Sequence, residues 1–130
     1  MRAVFDTSVV IDREPATFGG VTEYAITSIT YAELQFGVVA AKTADARVAR
    51  AARLGAIREA FGAGLPFDDH AAASYGLITD LVLDRGRLPR GRVADLMIAA
   101  VAHANGAALI TYNVKDFAGL ENLVHVMDAA

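Results

Sequence analysis

The chain is 130 residues long, 55% hydrophobic and 21% charged, with a formal net charge of -3 and neither Cys nor Trp. A length near that of an ordinary domain, without a Pro/Gly/Ser-rich or charge-rich linker, predicts one domain over residues 1–130 and excludes a disordered chain. The lack of Cys excludes disulfides, thiolate metal sites and cysteine nucleophiles, so any chemistry falls to oxygen and imidazole groups.

Ala3-Val4-Phe5 predicts a buried strand ending on Asp6, with Thr7-Ser8 able to cap a short helix. Asp6 interrupts the apolar run too early for a secretory signal core. Residues 14–20 read as a loop, 24–27 as a second strand, and Thr30-Tyr31-Ala32-Glu33 as the opening of a helix running to about Ala41. A longer helix is expected over 44–60, ended by Gly62 and Gly64, then a third strand at Leu65-Pro66-Phe67. Asp68/Asp69 cap a helix over 71–83, and the Arg/Gly segment Arg85–Arg92 stops it.

The helix expected at 93–104 is apolar nearly all round and should be buried on several sides. Asn105-Gly106 terminates it, followed by a strand at 107–111, a helical turn at 114–118 and a last strand at 123–127. Residues 96–114 carry no Lys, Arg, Asp or Glu, but His103, Asn105 and Gly106 in the middle favour helix, turn and strand over a membrane span. A soluble, cytoplasmic protein with no membrane partner is expected. Short apolar strands alternating with helices predict an α/β fold, an α/β/α sandwich around a mainly parallel sheet. In such sheets ligands bind at the carboxyl ends of the strands where strand order reverses, which singles out Asp6 and the segment Thr111–Asp116.

Nine of the twelve cations lie in two places. One is the segment from Lys42 to Arg58; the other holds Arg85, Arg87, Arg90 and Arg92 in RGRLPRGR. Four guanidiniums on a Gly/Pro-punctuated loop make a plausible phosphate-contacting element, with Arg47 and Arg50 as weaker candidates. Solvated helix faces are the plainer reading of the first group.

Four of the fifteen acids sit in apolar surroundings: Asp6, Glu33, Asp95 and Asp116. Each has an ordinary structural role available. Thr30-x-x-Glu33 matches a capping box, Asp95 suits a helix N-terminus, and Asp116 suits a turn. Drawn toward one cleft, however, such carboxylates repel by roughly 4 kcal/mol per pair at 4 Å and an effective dielectric of 20. Either their pKa values rise or a divalent cation binds, and an all-oxygen set suits Mg2+ or Mn2+. Such an ion can activate water for in-line attack on a phosphodiester.

Asp6-Thr7-Ser8, Ser28-Ile29-Thr30-x-x-Glu33-Leu34, Asp95-Leu96-x-Ile98-Ala99-Ala100-x-Ala102 and Leu109-Ile110-Thr111-x-Asn113-x-x-Asp116-Phe117 occur in this order along the chain. In order and rough spacing the chain resembles PIN-domain nucleases, in particular the VapC toxins of type II toxin-antitoxin systems. The resemblance implies a PIN-like fold and a Mg2+- or Mn2+-dependent endoribonuclease acting on RNA, inhibited by a VapB-type antitoxin and commonly homodimeric. It assigns Asp6, Glu33, Asp95 and Asp116 as catalytic, metal-binding carboxylates, acting directly or through water. Thr7, Ser8, Thr111 and Asn113 become polar groups that orient ligands or substrate. Some family members carry an acid at the position of Asn113, and Asp116 is favoured here because only it ionises.

The alternatives are a receiver-like phospho-acceptor domain and a catalytically silent PIN scaffold. The first expects its Thr and Lys on successive strands, whereas Thr111 and Lys115 are four residues apart. The second is disfavoured by four intact acids. His70, His103 and His125 lack zinc-site spacing, Ser8, Ser28 and Ser74 lack a nucleophile elbow, and no phosphate-binding glycine loop occurs. The Ala-rich helices between 31 and 60 are more apolar than a monomer surface needs, and predict a dimer contact or an antitoxin groove.

Overall fold

The structure is a computed structural model that describes residues 1–12, 18–86 and 91–130. Four parallel strands form one sheet in the order β2-β1-β3-β4: β1 is Arg2–Phe5, β2 Glu23–Ala25, β3 Ala108–Thr111 and β4 Val126–Asp128. The helices are α1 (Thr7–Asp12), α2 (Ser28–Val39), α3 (Ala44–Phe61), α4 (Asp69–Asp84) and α5 (Val93–Ala104), with a 3-10 turn at Val114–Phe117.

Side-chain alternation along the strands divides the core into two. Val4 and Leu109 face one side with Ile78 and Val82 of α4 and Leu96, Ile98 and Ala99 of α5. Ala3, Phe5, Ala108 and Ile110 face the other with Val9 of α1, Tyr31 and Leu34 of α2, and Leu54 and Ile57 of α3. The three-layer α/β/α arrangement expected from the sequence is therefore present. α5 is buried along Leu96 and Ile98–Ala102, as its all-round apolarity requires.

The helix starts follow side-chain chemistry. Thr43 and Asp68 cap α3 and α4 by accepting from Ala46 N–H and Ala71 N–H. For α2 the cap is Thr27, which accepts from Thr30 N–H, so the capping-box alternative for Thr30 and Glu33 does not hold. The expected strand at 65–67 is reduced to an isolated parallel bridge between Thr27 and Leu65. Two backbone bonds, Ser28 N–H to Leu65 C=O and Leu65 N–H to Ile26 C=O, hold it there, both at 2.9 Å. Gly64 permits this approach, because a Cβ would lie 2.8 Å from the Ser28 nitrogen.

The basic α3 face also resolves. Arg47 donates to the carbonyls of Val38 and Val39, and Arg50 to that of Gly37 at 2.6 Å. These cations satisfy the carbonyl end of α2, where the helix dipole favours positive charge. No helix among the described residues is long and apolar enough to cross a membrane.

Candidate active site

β1 and β3 are neighbours, and the chain continues from them in opposite directions, to β2 on one side and β4 on the other. Their carboxyl ends therefore frame the crevice where a parallel sheet accepts ligands. Asp6 follows β1 and Thr111 ends β3.

Asp6 is 4% exposed and its carboxylate is held by three donors. Thr7 N–H reaches Oδ1 at 2.8 Å, while the Thr111 hydroxyl at 2.8 Å and the Ser8 hydroxyl at 3.1 Å reach Oδ2. Its own N–H donates to Ile110 C=O across the β1–β3 seam. Glu33 rises from α2 into the same crevice, where the Thr7 hydroxyl donates to its Oε1 at 2.7 Å. Having given its proton to Glu33, the Thr7 oxygen accepts from the buried Thr30 hydroxyl, 2.8 Å away.

Asp116, on the 3-10 turn, is gripped twice by Arg92. One guanidinium nitrogen pairs with Oδ1 at 2.8 Å and the other donates to the Asp116 carbonyl at 2.8 Å. Asp95 stands in the first turn of α5. Its pKa is pushed up from 3.8 to about 6, chiefly by burial and then by the negative charges of Asp6, Glu33 and Asp116, with Arg92 opposing. The fold thus brings Asp6, Glu33 and Asp116 into electrostatic range of Asp95.

The other expected residues divide. Thr7, Ser8 and Thr111 contact carboxylates directly, whereas Asn113 is tied to the site through its backbone N–H, which donates to the Thr111 hydroxyl at 3.0 Å. Arg85 is exposed beside Gly119 at the end of α4. Arg92, expected on RNA, is committed to Asp116; Arg87 and Arg90 lie outside the described residues. Thr30 was missed as a site residue, because the capping-box reading gave it another task. Its position three residues before Glu33, on the same helix face, was the available signal. His103 shares a 2.7 Å hydrogen bond with Ser74 across α4 and α5, and so ties two helices together.

Among the described residues no three acidic or imidazole side chains converge tightly enough to cage an ion. Asp95, raised by burial and then by the charges of Asp6, Glu33 and Asp116, nevertheless stands with them as an all-oxygen group whose charge a hard cation would offset. Such a set fits an ion that takes one or two carboxylates and keeps several waters.

A cluster of acids at the carboxyl edge of a parallel sheet, braced by hydroxyls, defines the class. The chain belongs to the PIN-domain family, whose profile matches residues 3–122. It is 39% identical over 102 residues to ribonuclease VapC5 of Mycobacterium tuberculosis (strain ATCC 25618 / H37Rv), spanning 78% of this chain and 72% of that protein. Among solved structures it resembles VapBC-5, a member of the VapBC family of toxin-antitoxin systems from M. tuberculosis, with a TM-score of 0.77 and 36% identity over 98% of this chain and 96% of that one. It also resembles FitAcB from Neisseria gonorrhoeae, with a TM-score of 0.77 and 26% identity over 96% of each chain.

Proposed function

We propose that this protein is a divalent-metal-dependent endoribonuclease of the VapC type, the toxin half of a toxin-antitoxin pair. The observation that carries the reading is the gathering of Asp6, Glu33 and Asp116 around the N-terminus of α5, held there by Thr7, Ser8, Thr111 and Arg92, where burial and their three charges push the Asp95 pKa up. Its likeness to a ribonuclease over most of the chain supplies the substrate class.

Asp6, Glu33, Asp95 and Asp116 would hold Mg2+ or Mn2+, directly or through water. The ion supplies charge stabilisation for the phosphoryl and leaving oxygens and makes bound water more acidic. The chain's own contribution is placement. The hydroxyls of Ser8 and Thr111 fix the orientation of the Asp6 carboxylate, Thr7 fixes Glu33, and Arg92 fixes Asp116. As water attacks the phosphorus atom in line, one of these carboxylates receives its proton, the P–O bond opposite the attacking oxygen breaks, and the leaving oxygen departs and takes up a proton from solvent. Arg85, with Arg87 and Arg90, contacts the RNA backbone.

Partner binding belongs to the α2 face. Phe36 and Val39 are 72% and 66% exposed. Phe36 also lines an open groove of about 460 Å3 with Ile29, Ala32, Glu33, Ala94 and Met97. An apolar segment of a VapB-type antitoxin seated there would lie over Glu33 and shut the crevice. A homodimer in the cytoplasm completes the proposal.

The test is incubation of total cellular RNA with antitoxin-free protein and Mn2+ or Mg2+, followed by mapping of new 5′ ends. Discrete ends are expected, lost with EDTA, lost in Asp95→Asn and suppressed by the cognate antitoxin. Ends that persist in Asp95→Asn would remove the acid cluster from the chemistry, and no new ends under either metal would contradict the ribonuclease reading.

A further inference from the structure

Beside the carboxylate cluster lies a second concavity, of about 360 Å3, lined by Val82, Leu96, Ala118, Leu120, Arg92 and Lys115 together with Asp116. Its size falls within the roughly 300–1,000 Å3 that holds small organic groups. The composition is divided. Val82, Leu96 and Leu120 form a buried aliphatic floor, Ala118 is half-buried, and Lys115 is exposed at the edge.

The neighbouring backbone adds a second cation. Gly119 has φ +96°, and a Cβ there would lie 2.7 Å from both Cδ and Nε of Arg85. Glycine therefore lets the exposed Arg85 side chain lie flat against the loop between Ala118 and Leu120. The Gly119 N–H is taken by the carboxylate of Glu121, at 2.9 and 3.1 Å to its two oxygens. Arg92 is already paired with Asp116; among the described residues Lys115 also lines the pocket, and Arg85 lies beside Gly119, between the lining residues Ala118 and Leu120.

Resting on the ribonuclease reading, we infer that this pocket is a nucleotide-selecting subsite that receives one unpaired base of the RNA next to the cut. Two features favour this occupant. Asp116 belongs to both the pocket and the acid cluster, so a chain whose phosphate sits among the carboxylates has its neighbouring nucleotide at the pocket mouth. An apolar floor between cations matches a nucleotide, with a flat, weakly polar base and an anionic backbone, and bases are read when splayed out of single-stranded loops. Lys115 and Arg85 take the flanking phosphate, while the width above Ala118 sets which base fits.

The experiment is cleavage of a degenerate single-stranded RNA pool, with base preference scored at each position around the cut. Steady-state kinetics then follow on one preferred oligonucleotide at several salt concentrations. Ala118→Phe fills the pocket; Ala118→Val narrows it with less demand on folding. Lys115→Ala removes the exposed cation, and Arg53→Ala on α3 is the control for charge loss elsewhere. Thermal unfolding establishes that each variant is folded.

Ala118→Phe and Ala118→Val are expected to flatten the preference at one flanking position and to lower kcat/KM, by about tenfold for the larger side chain, mainly through KM. Lys115→Ala is expected to raise KM several-fold and to reduce the salt slope by about 0.7, the loss of one single-strand phosphate contact. Arg53→Ala keeps the wild-type preference profile. Active variants with wild-type KM and an unchanged preference profile would overturn the subsite while leaving the nuclease reading intact. A wild-type protein that cuts no RNA would overturn both.

Discussion

Asp95 shows how one carboxyl reports on a whole site. Its folded pKa, about 6, lies above the 3.8 of an unperturbed Asp because burial and three neighbouring acids disfavour its charge. A raised carboxyl pKa means that ionising the group costs folding free energy. The cost is absent below about pH 3.8, grows as pH rises, and is complete above about pH 6. Two pH units correspond to nearly 3 kcal/mol, and solvent screening of this half-buried group brings the expected effect to about 1–2 kcal/mol. Asp95→Asn should therefore raise the melting temperature of metal-free protein at pH 8 by a few degrees and leave it nearly unchanged at pH 4. Melts in EDTA across that range check this, and a variant less stable than wild type at pH 8 would restore a purely structural role for Asp95. At this scale the acids and their braces were legible, because a carboxylate inside an apolar string is unusual. The Arg92–Asp116 pair was not, since 24 residues separate the partners and only the fold brings them together.

Elements position those residues, and element ends were where local sequence reasoning went astray. Thr30-x-x-Glu33 has the letters of a capping box, yet Thr27 supplies the cap and releases both residues to meet Thr7. Local spacing cannot choose between two threonines three apart; the Thr27–Leu65 bridge, a contact distant in sequence, chooses. The same bridge replaces the strand expected at 65–67. Asp68, by contrast, caps α4 as expected, and Thr43, which the sequence reading did not single out, caps α3. Gly64 is the tight point of this arrangement. Gly64→Ala should destabilise the protein by about 1–3 kcal/mol, since its Cβ would meet the backbone of Thr27 and Ser28 within 3 Å. Because α2 carries Glu33, RNA cleavage should fall with it. Urea unfolding with unchanged stability would show that the α2 start yields easily.

For the whole molecule, strand order decides what the sequence pattern alone could only propose. Alternating strands and helices indicated a layered parallel sheet, and the order β2-β1-β3-β4 places the break in winding beside Asp6 and Thr111. Residues up to 110 positions apart then share one crevice, which accounts for the coexistence of a net charge of -3 and a ribonuclease reading. Negative charge is concentrated where a cation can mediate, with Arg85 and Lys115 nearby. A divalent cation held by Asp95 and its neighbours is detected by titration calorimetry with Mn2+ in buffers of different ionisation enthalpy. Binding should strengthen from pH 5 to pH 7, with protons released near pH 6 and few above pH 7.5, and Asp95→Asn should weaken it at least tenfold. Mn2+ binding of equal strength in wild type and Asp95→Asn, or none in either, would rule out a metal site at Asp95.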